Sequence, residues 1–372
     1  VRISEVAIFR VDLPLADPFE HASSGLVRVL EEVVAAVRTD SGVVGWGEVR
    51  GNCAYVTGDT ADRVVAAASR LAPLFLGHPI ERIAALRARV EQAVVGNTAA
   101  KALLDIAVHD AAARALGVPV ATLLGGQLRD RLPTDTSIPF VPPDQAAAQA
   151  RRAVREGFRL VKVRVGLGQE RDEARLVAVR QAIDDEPDGG AVELAADANG
   201  AWSPQQAVGY LRRWERFRFA WIEQPVAADD IAGLRFVRDH AAIPVMADES
   251  AKGPREVLRL VEQRAVDLLH FKLIKAGGLA PLQTMMHIAE AAGTSYMIGQ
   301  MDEGMLATAA AVQAGAASRA EHFEVHGYAR VARQPFRGLE CVRGEVLVPT
   351  GPGLGVEVDT SLLTPVHVER AP

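Results

Sequence analysis

Lysine is scarce in this chain. Of its 41 basic residues only five are lysine (Lys101, Lys162, Lys252, Lys272 and Lys275), and the other 36 are arginine. Arginine holds its proton at physiological pH, whereas a desolvated lysine can release one. A lysine kept in so arginine-rich a chain is therefore a candidate for chemistry that arginine cannot do. Cysteine is scarcer still. Cys53 and Cys341 cannot build a disulfide framework, and no Cys/His spacing suggests zinc. No run approaches the ~20 apolar residues that span a bilayer, and Val1-Arg2-Ile3-Ser4-Glu5 lacks the basic-then-apolar pattern of a signal peptide. Positive charge is not in excess either. The net charge is −6, which argues against a nucleic-acid or membrane-surface partner. A cytoplasmic enzyme is the expectation.

What is present is an ordinary globular composition, 49% hydrophobic and 24% charged. The 372 residues suit one large barrel with a smaller domain. Residues 2–12 and 27–38 alternate apolar and polar side chains and predict a small antiparallel sheet. Helical periodicity from about 60 to 116 stops at Gly117-Val118-Pro119. Apolar runs then recur near 133–140, 159–165, 191–197, 219–223, 243–248, 266–273, 294–300 and 321–326, with amphipathic stretches between them. Eight strands alternating with helices predict an α/β fold with a closed (β/α)-barrel. The expected division is a capping domain over 1–125, a barrel over 126–335, and a C-terminal segment over 336–372 that packs back on the cap.

In such a barrel the chemistry sits where strands run into the following loops. Asp197, Glu223 and Asp248 end three successive predicted strands, 26 and 25 residues apart. A lone strand-end acid commonly caps a helix or pairs with a rim arginine. Three at the same level repel one another unless a cation neutralises them, and an all-oxygen set suits Mg²⁺, with Mn²⁺ as a substitute. Lys162 and Lys272 lie in apolar runs on the second and sixth strands, where desolvation and a nearby metal are expected to lower an ammonium pKa. A lysine poised this way can take a proton from the carbon beside a carboxylate, with a metal stabilising the enediolate.

These residues lie among further motifs: Gly45-Trp46-Gly47-Glu48, the helix Ala99–Leu116 followed by Leu123-Leu124-Gly125-Gly126, Asp197-Ala198-Asn199-Gly200, Glu223-Gln224-Pro225, Asp248-Glu249-Ser250, and Lys272 with Lys275-Ala276-Gly277-Gly278. In this order and spacing the chain resembles the mandelate racemase/muconate lactonizing enzyme family of the enolase superfamily, and within it the muconate lactonizing subgroup. The resemblance implies a (β/α)7β-type modified TIM barrel under an N-terminal α+β capping domain. It also implies Mg²⁺ on Asp197, Glu223 and Asp248, Lys272 as acid/base, and a homo-oligomer, dimer or octamer. The seventh run, Tyr296–Glu303, lacks the histidine of the mandelate racemase subgroup. One departure stands out. The subgroup carries Lys-x-Lys on the second strand, and this chain has Lys162-Val163-Arg164. Arg164 can clamp a carboxylate but should not act as a base. Dehydration or cycloisomerisation of a small carboxylate is therefore expected ahead of racemisation or epimerisation, which would need Lys162 as a second base.

The resemblance also implies two specificity loops, about 16–26 and 50–58, in which His21, Tyr55 and Glu20 are candidate contacts. Asn199, Glu249 and Lys275 are expected to support the metal site or bind substrate. Gln300, Asp302, Glu303, Glu324 and His326 are expected on the opposite wall, where acids would suit an amino-acid or betaine-like substrate. The other histidines, His270 among them, show no ligand spacing. Two competing readings are a Schiff-base barrel enzyme working through Lys272 and a non-catalytic binding barrel.

Overall fold

The protein is described here by a computed structural model covering residues 1–21 and 25–371. Its N-terminal part is a four-stranded antiparallel sheet, ordered Pro365–Arg370, Ile3–His21, Gly25–Thr39, Val44–Arg50. The first two strands run past the expected ends as a long hairpin that still pairs Phe19 with Val27 beyond an irregularity after Pro14. One face of the sheet packs on the helix Thr98–Leu116. Glycines 45 and 47 allow that contact: a Cβ on either would lie 2.2 Å from the helix backbone. Trp46 N donates to Asp110 Oδ2 at 2.7 Å and fastens the same strand to the helix.

Eight parallel strands follow: Thr136–Ile138, Leu160–Arg164, Glu193–Asp197, Phe219–Glu223, Val245–Ala247, Leu268–Lys272, Ser295–Gly299 and His322–Glu324. They are numbered first to eighth below. Among the described residues, α-helices follow each of the first seven strands, and the eighth leads into a short 3₁₀ turn, Gly327–Arg330. A parallel bridge from Thr134, two residues before the first strand, to Phe323 of the eighth closes the barrel. The fold is thus the (β/α)7β barrel under an α+β cap. The C-terminal chain reaches both parts: Glu345–Leu347 pairs with Arg131–Pro133, and Pro365–Arg370 pairs with the first strand of the cap.

The barrel interior is layered, because side chains alternate across each strand. Its floor is apolar: Leu160, Ala195, Trp221, Met246, Leu268 and Met297 form one buried cluster. Two residues further along these six strands come Lys162, Asp197, Glu223, Asp248, His270 and Gly299. Another two along, the second and sixth strands present Arg164 and Lys272. Lys162 and Arg164 thus sit at different depths, with Lys162 level with the acids and Arg164 level with Lys272. The second and sixth strands are four apart in a ring of eight, so they face each other across the barrel.

Candidate active site

A cavity of about 210 Å³ opens at the C-terminal ends of the strands. Its deep wall includes Lys162, Arg164, Asp197, Asn199, Asp248, Glu249, Lys272 and Glu324. Asp17, Pro18 and Phe19 from the hairpin tip and Tyr55 and Val56 from the second cap segment cover it. Both predicted specificity loops therefore contribute to the cavity. The side chain of His21 and residues 22–24 lie outside the described residues. Glu20 is exposed and does not line the cavity.

The three strand-end carboxylates stand side by side. Asp197 and Glu223 are register partners, and Asp248 begins the turn after the fifth strand. All three are buried, at 3%, 0% and 4% exposure. Backbone and side chain cooperate to hold them. Asn199 and Gln224 adopt left-handed φ values of 44° and 36°, a conformation that non-glycine residues keep only when their surroundings impose it. Asn199 N donates to Asp197 Oδ1 at 2.9 Å, and Asn199 Nδ2 donates to Glu249 Oε1 at 3.1 Å. Gln224 Oε1 accepts from the amides of Asp248 and Ser250, tying the fourth strand end to the fifth. Burial and the charge of Glu223 hold the Asp197 carboxyl well above its ordinary range. Glu249 is pushed up to about 7 by burial and by Asp248. Glu223 and Asp248 are instead held low, against their burial, by Lys162 and His270 and by Lys272 and Lys275. A buried set of acids in which Asp197 and Glu249 are still forced up is one that a divalent cation would relieve, and the oxygen donors fit Mg²⁺.

The lysines correct one expectation. Burial alone would lower the Lys162 and Lys272 ammonium groups, yet both are held above their ordinary values because each contacts several carboxylates. Lys162 Nζ lies 2.9 Å from Glu223 Oε2, 2.5 Å from Glu324 Oε1 and 3.9 Å from Asp135 Oδ2. Lys272 Nζ lies 2.9 Å from Asp248 Oδ2 and 3.5 Å from Glu324 Oε2. Glu324 thus bridges the two lysines, and Lys162, at 1% exposure, is committed to the acids. Lys275, also buried, donates to Asp248 Oδ1, to the Asp248 carbonyl and to the His270 carbonyl at 3.0 Å. Burial lowers its pKa. Lys252 is exposed, and Lys101 pairs with Glu91 in the cap.

The opposite wall corrects two more. Glu303 does not line the cavity: its carboxylate accepts from the amides of Arg50 at 3.3 Å and Met301 at 3.1 Å. Asp302 does line it but is paired with Arg330 at 3.3 Å, and Glu324 is taken by the lysines, so these wall acids are already neutralised. Burial and Arg330 lower the His326 imidazole to about 4. Gln300 and Tyr55 line the cavity, as does Arg164, whose Nη1 reaches Asn199 Oδ1 at 3.5 Å.

His270 escaped the sequence reading. Its Nδ1 lies 2.7 Å from Glu223 Oε1, and donor atoms of Glu223, Asp248 and His270 all lie within 4.8 Å of one another. Burial and Lys272 lower its pKa. A carboxylate only accepts, so in this contact Nδ1 is the donor to Glu223. That leaves His270 orienting the carboxylate from below. Gly299 gives it room, since a Cβ there would lie 2.1 Å from His270 Nε2. The signal was available: His270 precedes Lys272 by two residues and so shares its face. Asp135, buried beside Lys162, escaped too.

Glu303 belongs to a second buried acidic group at the junction of cap and barrel, with Glu32, Glu48 and Arg50. Glu48 Oε2 accepts from Ala307 N at 2.9 Å, at the start of the helix Met305–Ala316. Burial pushes Glu48 from 4.5 to about 8. A carboxyl raised on folding stabilises most below its unfolded pKa, and that contribution disappears as pH rises through the folded one. Stability toward urea is therefore expected to fall between about pH 5 and 8, with Glu48→Gln showing a shallower decline. Parallel declines for variant and parent would contradict this.

Among the described residues, no helix is long and apolar enough to cross a membrane. Residues 3–125 match the family described as mandelate racemase/muconate lactonizing enzyme, N-terminal domain, and residues 145–362 match enolase C-terminal domain-like. The chain is 34% identical to the L-Ala-D/L-Glu epimerase of Bacillus subtilis, with 96% of this chain and 97% of that one covered. It is 30% identical to muconate cycloisomerase 1 of Rhodococcus opacus, with 94% of each covered. Among solved structures, a substrate-liganded complex of the B. subtilis epimerase superposes with a TM-score of 0.91 at 33% identity, over 96% of this chain and 99% of that one. A dipeptide epimerase from Enterococcus faecalis V583, complexed with Mg and the dipeptide L-Leu-L-Tyr, gives 0.91 at 27% identity, over 96% and 100%.

Proposed function

Because this chain is an enzyme of the mandelate racemase/muconate lactonizing enzyme family, in the enolase superfamily, we propose that it removes the α-proton of a small carboxylate substrate from one face only, with Lys272 as the acid/base. Asp197, Glu223 and Asp248 would hold Mg²⁺, with His270 and Lys275 orienting the last two. When bound, the ion supplies positive charge where the substrate carboxylate gains negative charge. Lys272 lines the cavity with its ammonium beside Asp248 and Glu324, the acids that hold its proton. A cation on Asp248 would offset that hold and leave Lys272 placed to return and receive a proton at the reacting carbon.

The observation that carries the one-face reading is the layering. Arg164 and Lys272 share a level on opposing strands, whereas Lys162 lies one layer deeper with its ammonium engaged by Glu223 and Glu324. Arg164 keeps its proton and serves as a fixed positive group for a substrate carboxylate or a developing anion. Cycloisomerisation or β-elimination fits a single base. The cytoplasm and a homo-oligomer remain the expected setting.

A second reading, epimerisation, is favoured by the relatives, which include the L-Ala-D/L-Glu epimerase, a hydrophobic dipeptide epimerase and an N-succinyl-L-Arg/Lys racemase. It requires the proton to return on the Arg164 face. Proton–deuterium exchange in D₂O with Mg²⁺, run on a panel of carboxylates and dipeptides, separates the two. One-face chemistry predicts exchange with retained configuration. Inversion as fast as exchange would reject it. Arg164→Lys, which restores a labile proton on that face, is expected to raise inversion by about 10-fold or more, read by chiral chromatography.

A further inference from the structure

We propose that Gln300 is a specificity-determining residue that reads a planar group carrying a hydrogen-bond donor beside an acceptor, namely a carboxamide, ureido or lactam group of the substrate. This deepens the proposed function, because it names the chemistry at the far side of the same cavity.

Gln300 follows Gly299, the register partner of Lys272, and lines the cavity. It is 4% exposed, and among the described residues neither its Oε1 nor its Nε2 has a hydrogen-bond partner. A buried amide with both ends unpaired costs free energy, and a hydrocarbon side chain of similar size would avoid that cost. The side chain is also held in place. A Cβ on Gly327 would stand 2.5 Å from Gln300 Nε2, so the loop after the eighth strand packs directly against the amide. Nearby polar groups do not supply the missing bonds: Asp302 is paired with Arg330, whose Nη2 donates to the Ser137 carbonyl at 2.6 Å.

The chemistry of the unpaired atoms selects the ligand. Gln300 presents one acceptor and two N–H donors side by side on a planar group. A carboxylate would satisfy Nε2 but repel Oε1, an ammonium would do the reverse, and a hydrocarbon would satisfy neither. A single hydroxyl oxygen cannot make two well-aligned bonds to both atoms. A trans peptide bond directs its N–H and C=O to opposite sides, so it pairs with only one end. A carboxamide, ureido or lactam group places both on one side and forms two parallel bonds. Sites built to hydrogen-bond a substrate discriminate strongly against analogues that lack the group, because their own polar atoms are then left unpaired.

The test is calorimetric titration of the Mg²⁺-loaded enzyme with ω-carboxamide carboxylates, from succinamate upward in chain length, against methyl ketones and dicarboxylates of the same length. The carboxamide is expected to bind about 10-fold or more tightly than either counterpart, the ratio that one to two neutral hydrogen bonds produce. Gln300→Met should erase the preference while the melting temperature reports an intact fold, and Gln300→Glu should also remove it by replacing the donor with an acceptor. Equal binding of the three ligand types, binding of none of them, or a preference that survives in both variants overturns the assignment. α-Proton exchange measured on the same samples keeps the two readings apart. A carboxamide preference without exchange would sink the proposed reaction and leave Gln300 standing.

Discussion

Replacing Lys272 by alanine is expected to reduce α-proton exchange by about 10³-fold, the scale of a lost general acid/base. The site around it should survive, because its partners have other cations: Asp248 retains Lys275, and Glu324 retains Lys162. The measurement is exchange monitored by NMR in D₂O with saturating Mg²⁺, alongside a melting curve. Exchange within about 10-fold of the parent in a folded variant would reject Lys272 as the base. Lys272→Arg is a sharper companion. It keeps the positive charge beside Asp248 but removes a releasable proton, so it too should be inactive. Borohydride trapping of a substrate adduct in the parent would instead support a Schiff base on this lysine.

The second large effect is on stability. Lys162→Met keeps the length of the side chain but removes the ammonium that contacts Glu223, Glu324 and Asp135 in the barrel interior. Removing one partner of a buried ion pair typically costs about 3–5 kcal/mol, because the remaining charge is stranded. Denaturation by urea at neutral pH should show a loss of that order. The pH dependence follows from Glu324. Burial raises its carboxyl, but Lys162 and Lys272 more than offset this and hold it at about 2, against 4.5 for a free glutamate. A carboxyl lowered on folding stabilises above its unfolded pKa, and the contribution is lost as pH falls toward the folded one. The gap between Lys162→Met and parent should therefore narrow as pH drops below about 4.5. A gap that is small at neutral pH, or that widens in acid, would show that Lys162 is not what holds these acids. The same variant bears on mechanism. If Lys162 were a second base, its loss would stop inversion while leaving one-face exchange running.

Much of this was legible along the chain. The alternation of apolar runs with helix-length stretches marked eight strands, because a strand buried in a barrel and a helix packed outside it need different hydrophobic periods. The depth of each functional residue was legible too, in principle. Counting by twos from the apolar floor puts Lys162, Asp197, Glu223, Asp248 and His270 on one level and Arg164 and Lys272 on the next. Spacing along the chain does not mark His270, because its partner Glu223 lies two strands away.

By itself, then, the sequence determined the strand count and the strand ends that carry the acids and lysines, which depend only on period and residue type. That Arg164 stands where a lysine is usual follows from the resemblance to the family. The tertiary structure alone decided the partners. Glu324 bridges Lys162 and Lys272, so two lysines expected to be lowered by burial are raised instead. Glu303 turns to the cap while its neighbour Asp302 stays in the cavity. Among the described residues, Gln300 is left with no partner for either end of its amide. The physical reason is that pairing inside a closed barrel is set by register and curvature between strands that are distant in sequence, and electrostatic shifts follow the pairing. The scarcity of lysine pointed to where the chemistry is; only the closed barrel separated Lys272, level with Arg164, from Lys162, which lies one layer deeper among Glu223, Glu324 and Asp135.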